Sequence, residues 1–331
     1  MTTNYLDSKR LQGLSTDTKP TNVQTNSTFE ETDNSTRYWY DGNNWFNNPT
    51  RGVFGSSNVT DYITINTTGN ATSFGTLTNN VIGMGGVNSS TRGVWGGGSD
   101  YSIIIQYITI STTGNATSFG NLSVARMINN GVNSSTRGCW GGGFASIGGY
   151  NSDTIDYITI STTGNATDFG NLTTSKYIVA GVNSDVIGVF LGGNIYGGAI
   201  VSATEYITIS TTGNATNFGS LTAGGRSSMG GLNSDVRGVV GGGYTVSTYT
   251  NIMEYITIAT PSTSIDFGDL TVARQGGGGV NSVIRGVFGG GDNGSNLNTI
   301  DYITISTTGN AVDFGDLTVA RTYVSGVQNG L

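Results

Sequence analysis

Histidine is absent from the 331-residue chain. That absence removes His-based general acid–base work, His-activated serine or cysteine nucleophiles and His-liganded metals together. Carboxylate-only glycosidases are among the few common enzyme mechanisms that survive it. A single cysteine, Cys139, excludes an internal disulfide framework. Proline is scarce, at 3 residues, whereas glycine reaches 54. Charged residues make up 11% of the chain, against roughly 25% in an average soluble protein. The net charge is −7, so no nucleic-acid partner held by phosphate neutralisation is expected. No apolar run approaches the roughly 20 residues that span a bilayer, so no membrane insertion is expected either. The opening "MTTNYLDSKRLQG" has no apolar h-region, and no secretory signal peptide is expected.

What is present is repetition. Tyr-Ile-Thr-Ile occurs six times, starting at Tyr62, Tyr107, Tyr157, Tyr206, Tyr255 and Tyr302. The intervals are 45, 50, 49, 49 and 47 residues. A Phe-Gly pair follows each copy, at Phe74, Phe119, Phe169, Phe218, Phe267 and Phe314, with a leucine three residues beyond each Phe. A strand-like "RGVFGGG" or a close variant precedes each copy. Two strings that elsewhere mean chemistry dissolve into this repeat. Asp313-Phe314-Gly315 has the letters of a kinase metal-binding motif, yet Ser or Asn replaces the Asp in other copies. The glycine runs recur likewise, and no Lys-Ser/Thr follows them, which excludes a phosphate-binding P-loop.

Each unit divides into four segments with strand signals. In residues 274–321 they are "RQGGGGVNS" (A), "RGVFGGG" (B), "TIDYITIST" (C) and "AVDFGDLTVAR" (D). Asn-Ser separates A from B, and Thr-Gly-Asn separates C from D, both turn chemistry. No window sustains a 3.6-residue period, so helix is not expected. Four strands repeated every 45–50 residues read as propeller blades. Glycine belongs on A and B, where blades converge on the axis, and the large residues of C and D belong further out.

The order "R…GGGGVNS…RGVFGGG…IDYITI…DFGDL…R" resembles the kelch repeat, with Phe where kelch usually has Trp. The resemblance covers about 51–331 and implies an all-β, six-bladed kelch-like propeller. The wording of residues 301–321, "DYITISTTGNAVDFGDLTVAR", also looks like repeats in virion structural proteins of marine tailed phages, especially cyanophages. That resemblance implies a non-enzymatic virion protein on capsid, tail or fibre, present in many copies. Propeller enzymes fit less well. The galactose-oxidase type needs copper and histidine, and sialidases need an arginine triad and Asp and Trp positions that "STTGNATDF" lacks. No cofactor is expected. A free carbohydrate-binding propeller lectin is the alternative.

The first unit has B, C and D but no clear A, and the chain ends "RTYVSGVQNGL", an A segment without partners. The expected closure places 322–329 in the first blade; the competitor for that slot is "RYWYDGNNWFNNPTRG". Residues 1–50 are an N-terminal arm, and its polar residues 1–36 predict disorder in isolation and no core of their own. Within it Tyr38, Trp39, Tyr40, Trp45 and Phe46 form an aromatic segment, either a cap over one blade or a docking patch for other virion proteins.

Three further features invite functional reading. The start of C should lie beside the end of D, which aligns Asp156 with Lys176, Glu205 with Arg226, Glu254 with Arg274 and Asp301 with Arg321. Gln106 would face Arg126, and Asp61 would face Asn79 or Asn80. Exposed ion pairs of this kind are worth roughly 0–1 kcal/mol each. Arg51, Arg92, Arg137, Arg237 and Arg285 open strand B on the opposite face, where structural turns are expected. The B–C loops vary while the rest repeats, and variable loops on a rigid scaffold are where recognition lives. Tyr150, Tyr196, Tyr244 and Tyr249 in them could stack on a host-surface glycan or anchor a protein.

Overall fold

Alternation of Tyr/Thr with Ile at period two puts alternate residues of each C strand on opposite faces of its sheet. In Thr154–Thr159, Ile158 packs against the preceding repeat while Ile155 and the half-buried Tyr157 pack against the following one, so neighbours cover both faces and Thr159 is exposed at the strand end. The structure is a computed structural model describing residues 4–5, 10–20, 22–23, 27–32, 37–40, 45–47, 50–127, 130–145 and 150–329. No helix occurs among them. Residues 51–329 form a six-bladed β-propeller.

Five blades are antiparallel sheets in the order A-B-C-D from the axis outward. Blade 3 is typical, with Asn130–Asn133, Arg137–Gly141, Thr154–Thr159 and Thr167–Asn171. In blade 1, B and C run together as Arg51–Thr64, turning tightly at Ser57, where φ is +57°. Its D strand is Thr72–Val81. Its A strand is Ser325–Gln328, paired Ser325 to Gly55 through Gln328 to Gly52. The C-terminal segment, not the aromatic stretch before Pro49, therefore fills the slot.

The six A strands touch one another in an unbroken circle. Glycine is what permits it. A Cβ on Gly131 would lie 2.2 Å from the Gly86 carbonyl oxygen, one on Gly231 2.3 Å from that of Gly181, and one on Gly326 2.1 Å from that of Gly279. Six apolar clusters then fill the seams, each shared by two consecutive blades. The Phe-Gly glycine of strand D has its own seam role. A Cβ on Gly120 would meet the Gly164 oxygen of the next C–D turn at 2.0 Å, and one on Gly315 would meet that of Gly69 at 2.6 Å. That turn also covers the outer edge. Gly164 N–H donates to Phe119 O at 2.9 Å, and Asn121 N–H donates to Asn165 Oδ1 at 3.0 Å. The repeated Asn-X-Ser/Thr asparagines are thus edge caps, and the ring leaves little backbone free for edge-to-edge pairing.

Departures from the repeat occur in complementary pairs across seams. The strand-B aromatics Trp95, Trp140, Phe190, Phe288 and Phe54 each press on a strand-B glycine of the preceding blade: Gly55, Gly96, Gly141, Gly241 and Gly289. In the seam between blades 4 and 5 the glycine is Leu191 and the aromatic is Val240, both buried in one cluster. Volume is conserved by exchanging which side is large. Val240→Phe alone should overpack this seam and cost about 1–3 kcal/mol. Adding Leu191→Gly should recover much of that loss in a denaturant melt, and a double variant no better than the single would refute the pairing.

Some local structure is seen within the arm. Its described residues include five short strands, Asn4–Tyr5, Arg10–Gly13, Thr28–Glu31, Arg37–Tyr40 and Trp45–Asn47, in one sheet. Arg10–Gly13 and Thr28–Glu31 pair in parallel. Leu11 and Phe29 are buried, at 2% and 0% exposure. The expectation that the arm lacks a core overlooked this pair.

Candidate functional site

The repeated acids and bases lie on the B–C loop side of the ring, as aligned, but they pair between blades and not within them. Arg126 bonds Asp156 at 2.9 Å, Lys176 bonds Glu205 at 2.5 Å, Arg226 bonds Glu254, and Arg274 bonds Asp301 at 2.7 Å. Arg321 bonds Asp61 at 2.9 Å and closes the ring. Each cation ends one blade and each acid begins strand C of the next. The within-blade alignment is corrected accordingly, and so is the estimate for exposed pairs, because these side chains are at most 5% exposed. A hydroxyl residue just after each D-strand leucine completes the acid's shell. Ser123 and Thr271 hydroxyls donate to Asp156 and Asp301, and Thr318 Oγ1 donates to Asp61 at 2.7 Å. One seam is neutral: Val81 stands where the cation belongs and Gln106 where the acid belongs, with Thr78 N–H donating to Gln106 Oε1 at 2.7 Å.

The electrostatics follow from this packing. Burial lowers the Arg126, Arg226, Arg274 and Arg321 guanidinium pKa values, opposed by the acid beside each. Burial alone would raise Glu254. Hydrogen bonds from Thr222 and Ser264, then the Arg226 charge, outweigh it and hold Glu254 below the ordinary carboxylate range. Burial pushes the Cys139 thiol up to about 12, so it is not a poised nucleophile.

The strand-B arginines are seam clamps on the opposite face. Each stacks on the tyrosine of its own blade, as Arg237 does over Tyr255 at 4.1 Å. Each also donates to a carbonyl just past the end of the next blade's C strand, as in Arg137 Nη1 to Ile209 O at 3.0 Å and Arg285 Nη1 to Ile65 O at 3.3 Å. Between them, ion pairs and clamps engage every Lys and Arg of residues 51–329.

The axis offers little room. A cavity of about 80 Å³ is lined by glycine backbone and six carboxamides: Asn88, Asn133, Asn183, Asn233, Asn281 and Gln328. The asparagines hold one another, with Asn88 N–H donating to Asn133 Oδ1 at 3.2 Å and Asn183 N–H to Asn233 Oδ1 at 3.2 Å. Among the described residues no group of three His, Cys, Asp or Glu is placed to hold a metal.

The loop face is different. Tyr150 and Tyr196, on loops of blades 3 and 4, are 55% and 66% exposed, with ring centroids 4.9 Å apart at 66°. Tyr244 and Tyr249 form a second pair on blade 5, 5.4 Å apart. Sequence reasoning missed a third group. Tyr101, Phe144 and Tyr177 run in contact, at 6.1 and 5.7 Å, from blade 2 to blade 3. Tyr177 sits on a D–A linker, and only the chain's return to the loop face brings it there. Tyr323, on the corresponding linker into blade 1, holds φ of +49°.

In the arm, Tyr38 is half-buried, and Lys19 Nζ lies 3.8 Å from its ring centroid while pairing with Glu31 at 2.6 Å. Trp39 pairs in register with Phe46, and Tyr40 with Trp45. The side chains of Trp39, Tyr40, Trp45 and Phe46 lie outside the described residues, so their reading as a docking or cap segment stays a sequence expectation.

No protein-family model matches the chain. No curated protein matches it either.

Proposed function

We propose that the protein is a non-enzymatic interaction platform of a virion, attached through its N-terminal arm and presenting its variable loop face outward. One observation carries the platform reading. The ring's repeated cations and the carboxylates of strand C are consumed in seams, while the variable, exposed aromatics gather on one face. Conversion of a substrate needs free acid, base or nucleophile in a cleft, and the strand-C carboxylates are paired and buried. The virion assignment rests on the repeat wording, as does the kelch-like label. Loops rich in Tyr, Ser, Gly and Asn match the composition of adaptable recognition surfaces.

The test is location. Antibody-gold labelling of assembled particles should mark the protein on capsid, tail or fibre; particles that never label would refute the virion role. A chain beginning at Pro49 should keep the propeller's own strand signature and thermal midpoint but fail to join the particle. Normal incorporation of that shortened chain would refute the arm as anchor. The exposed tyrosines also favour a free propeller lectin, which would bind glycans and be absent from particles.

A further inference from the structure

We infer that Asn293, on the B–C loop of blade 6, is a site of spontaneous deamidation, where the Gly294 nitrogen expels the side-chain amide and a negative charge is added to the loop face over time. The inference goes beyond the proposed function and does not depend on the virion reading.

The sequence offers three Asn–Gly pairs, Asn130–Gly131, Asn293–Gly294 and Asn329–Gly330. Glycine after asparagine leaves the approach to the carboxamide carbon unshielded, because it has no Cβ. The reaction also needs a backbone free to bring the nitrogen of the second residue onto Cγ of the first. The fold separates the three pairs on that requirement. Asn130 and Gly131 lie in the axial strand of blade 3, paired in register with Gly141 and Trp140. Asn329 is 2% exposed, and its Oδ1 accepts from Arg51 N–H at 2.6 Å. At both places the ring must open locally before the chemistry starts.

Asn293 and Gly294 are not held in that way. Both are exposed, in a bend between the B and C strands. No described residue hydrogen-bonds the Asn293 carboxamide. Gly294 has φ of +107°, and a Cβ placed on it would meet nothing within 4 Å. Its N–H has one acceptor among the described residues, Asp292 Oδ1, at a long 3.4 Å. Asn293 N–H donates to Ser295 O at 3.3 Å, so the chain doubles back around the reacting pair.

The step needs only solvent. The Gly294 nitrogen gives its proton to water and bonds to Asn293 Cγ. The Cγ–Nδ2 bond breaks, and Nδ2 takes up a proton and leaves as ammonia. Water then opens the five-membered imide at one carbonyl or the other, leaving aspartate or isoaspartate. No cation waits for the new carboxylate, because every Lys and Arg of residues 51–329 is engaged in a seam. The neighbouring Asp292 keeps its own partners, accepting from Gln275 Nε2 at 3.3 Å and Thr322 Oγ1 at 2.8 Å.

Folded full-length protein, held at neutral pH and physiological temperature and sampled over weeks by tryptic peptide mapping, tests this. Cleavage after Arg126, Arg137, Arg285 and Arg321 places the three pairs in separate peptides, 127–137, 286–321 and 322–331. Fragment spectra should put the amide-to-acid mass gain on Asn293, not on Asn296, Asn298 or Asn310 of the same peptide. It should accumulate at least about tenfold faster there than on Asn130 or Asn329. A more acidic form should grow in step on ion exchange with an unchanged thermal midpoint, and N293Q should abolish it. In urea all three pairs should react at comparable rates. An Asn293 that stays intact in the folded protein, faster reaction at another asparagine, or an acidic form that N293Q retains would overturn the inference. The same preference for Asn293 in urea would overturn the role given to the fold.

Discussion

Removing residues 322–331 should open the ring and leave a chain that aggregates, or melts far below the full-length protein. The lost segment supplies the axial strand of blade 1, paired to residues 52–55. Val327 is fully buried, and a Cβ on Gly93 of blade 2 would lie 2.4 Å from it. Val324 fills the seam with blade 6. Trp95 Nε1 donates to Ser325 O at 3.4 Å, Ser56 Oγ to Thr322 O at 2.7 Å and Arg51 N–H to Asn329 Oδ1 at 2.6 Å. Two buried valines at about 1.5–3 kcal/mol each and several hydrogen bonds at about 1 kcal/mol each sum to roughly 5–10 kcal/mol. Net domain stability is itself only about 5–15 kcal/mol. Thermal scanning and light scattering read both outcomes, and a synthetic 322–331 peptide added in trans should restore part of the loss. A shortened chain that melts like the full one would mean the aromatic segment before Pro49 takes the vacant slot.

The ring was legible because its physics is local and repeated. Period-two alternation, turn dipeptides and an unpartnered terminal strand specify blades and closure without any long-range information. The partner of each buried charge was harder to read. In a repeat, Arg226 is offered Glu205 by its own blade and Glu254 by the next, and in-blade alignment cannot choose. The irregular copies could have chosen. Val81 ends blade 1 where Gln106 begins the C strand of blade 2, and Arg321 ends blade 6 where Asp61 begins that of blade 1. Both make sense only one blade apart. The aromatic run Tyr101–Phe144–Tyr177 was hidden for a related reason, since its members come from two loops and a linker that meet only in the folded ring. The arm's Leu11 and Phe29 escaped notice because two apolar residues do not alter the polarity of fifty.

The neutral seam supplies the means of measuring what the other five contribute. Asp156→Gln should leave Arg126 buried without a counter-charge and cost about 3–5 kcal/mol, and Arg126→Val should do the same to Asp156. The double variant Arg126→Val/Asp156→Gln reproduces the Val81–Gln106 arrangement, with Ser123 placed as Thr78 is. It should therefore be much more stable than the sum of its parts, with a coupling of about 3 kcal/mol in a denaturant-based double-mutant cycle. Near-additive losses would show that the seam tolerates neutrality only beside Val81. The pH dependence gives an independent reading. Glu254 is held below its ordinary pKa when folded, so the unfolded chain takes up its proton first. Its stabilisation is fully present above about pH 5, near the upper end of carboxylate titration in an unfolded chain, and fades as pH falls through the folded pKa. A paired Arg226→Val/Glu254→Gln variant removes that proton uptake along with the charges. Its acid limb should be flatter than that of the wild type while its neutral-pH stability stays close, because a neutral seam has nothing left to titrate.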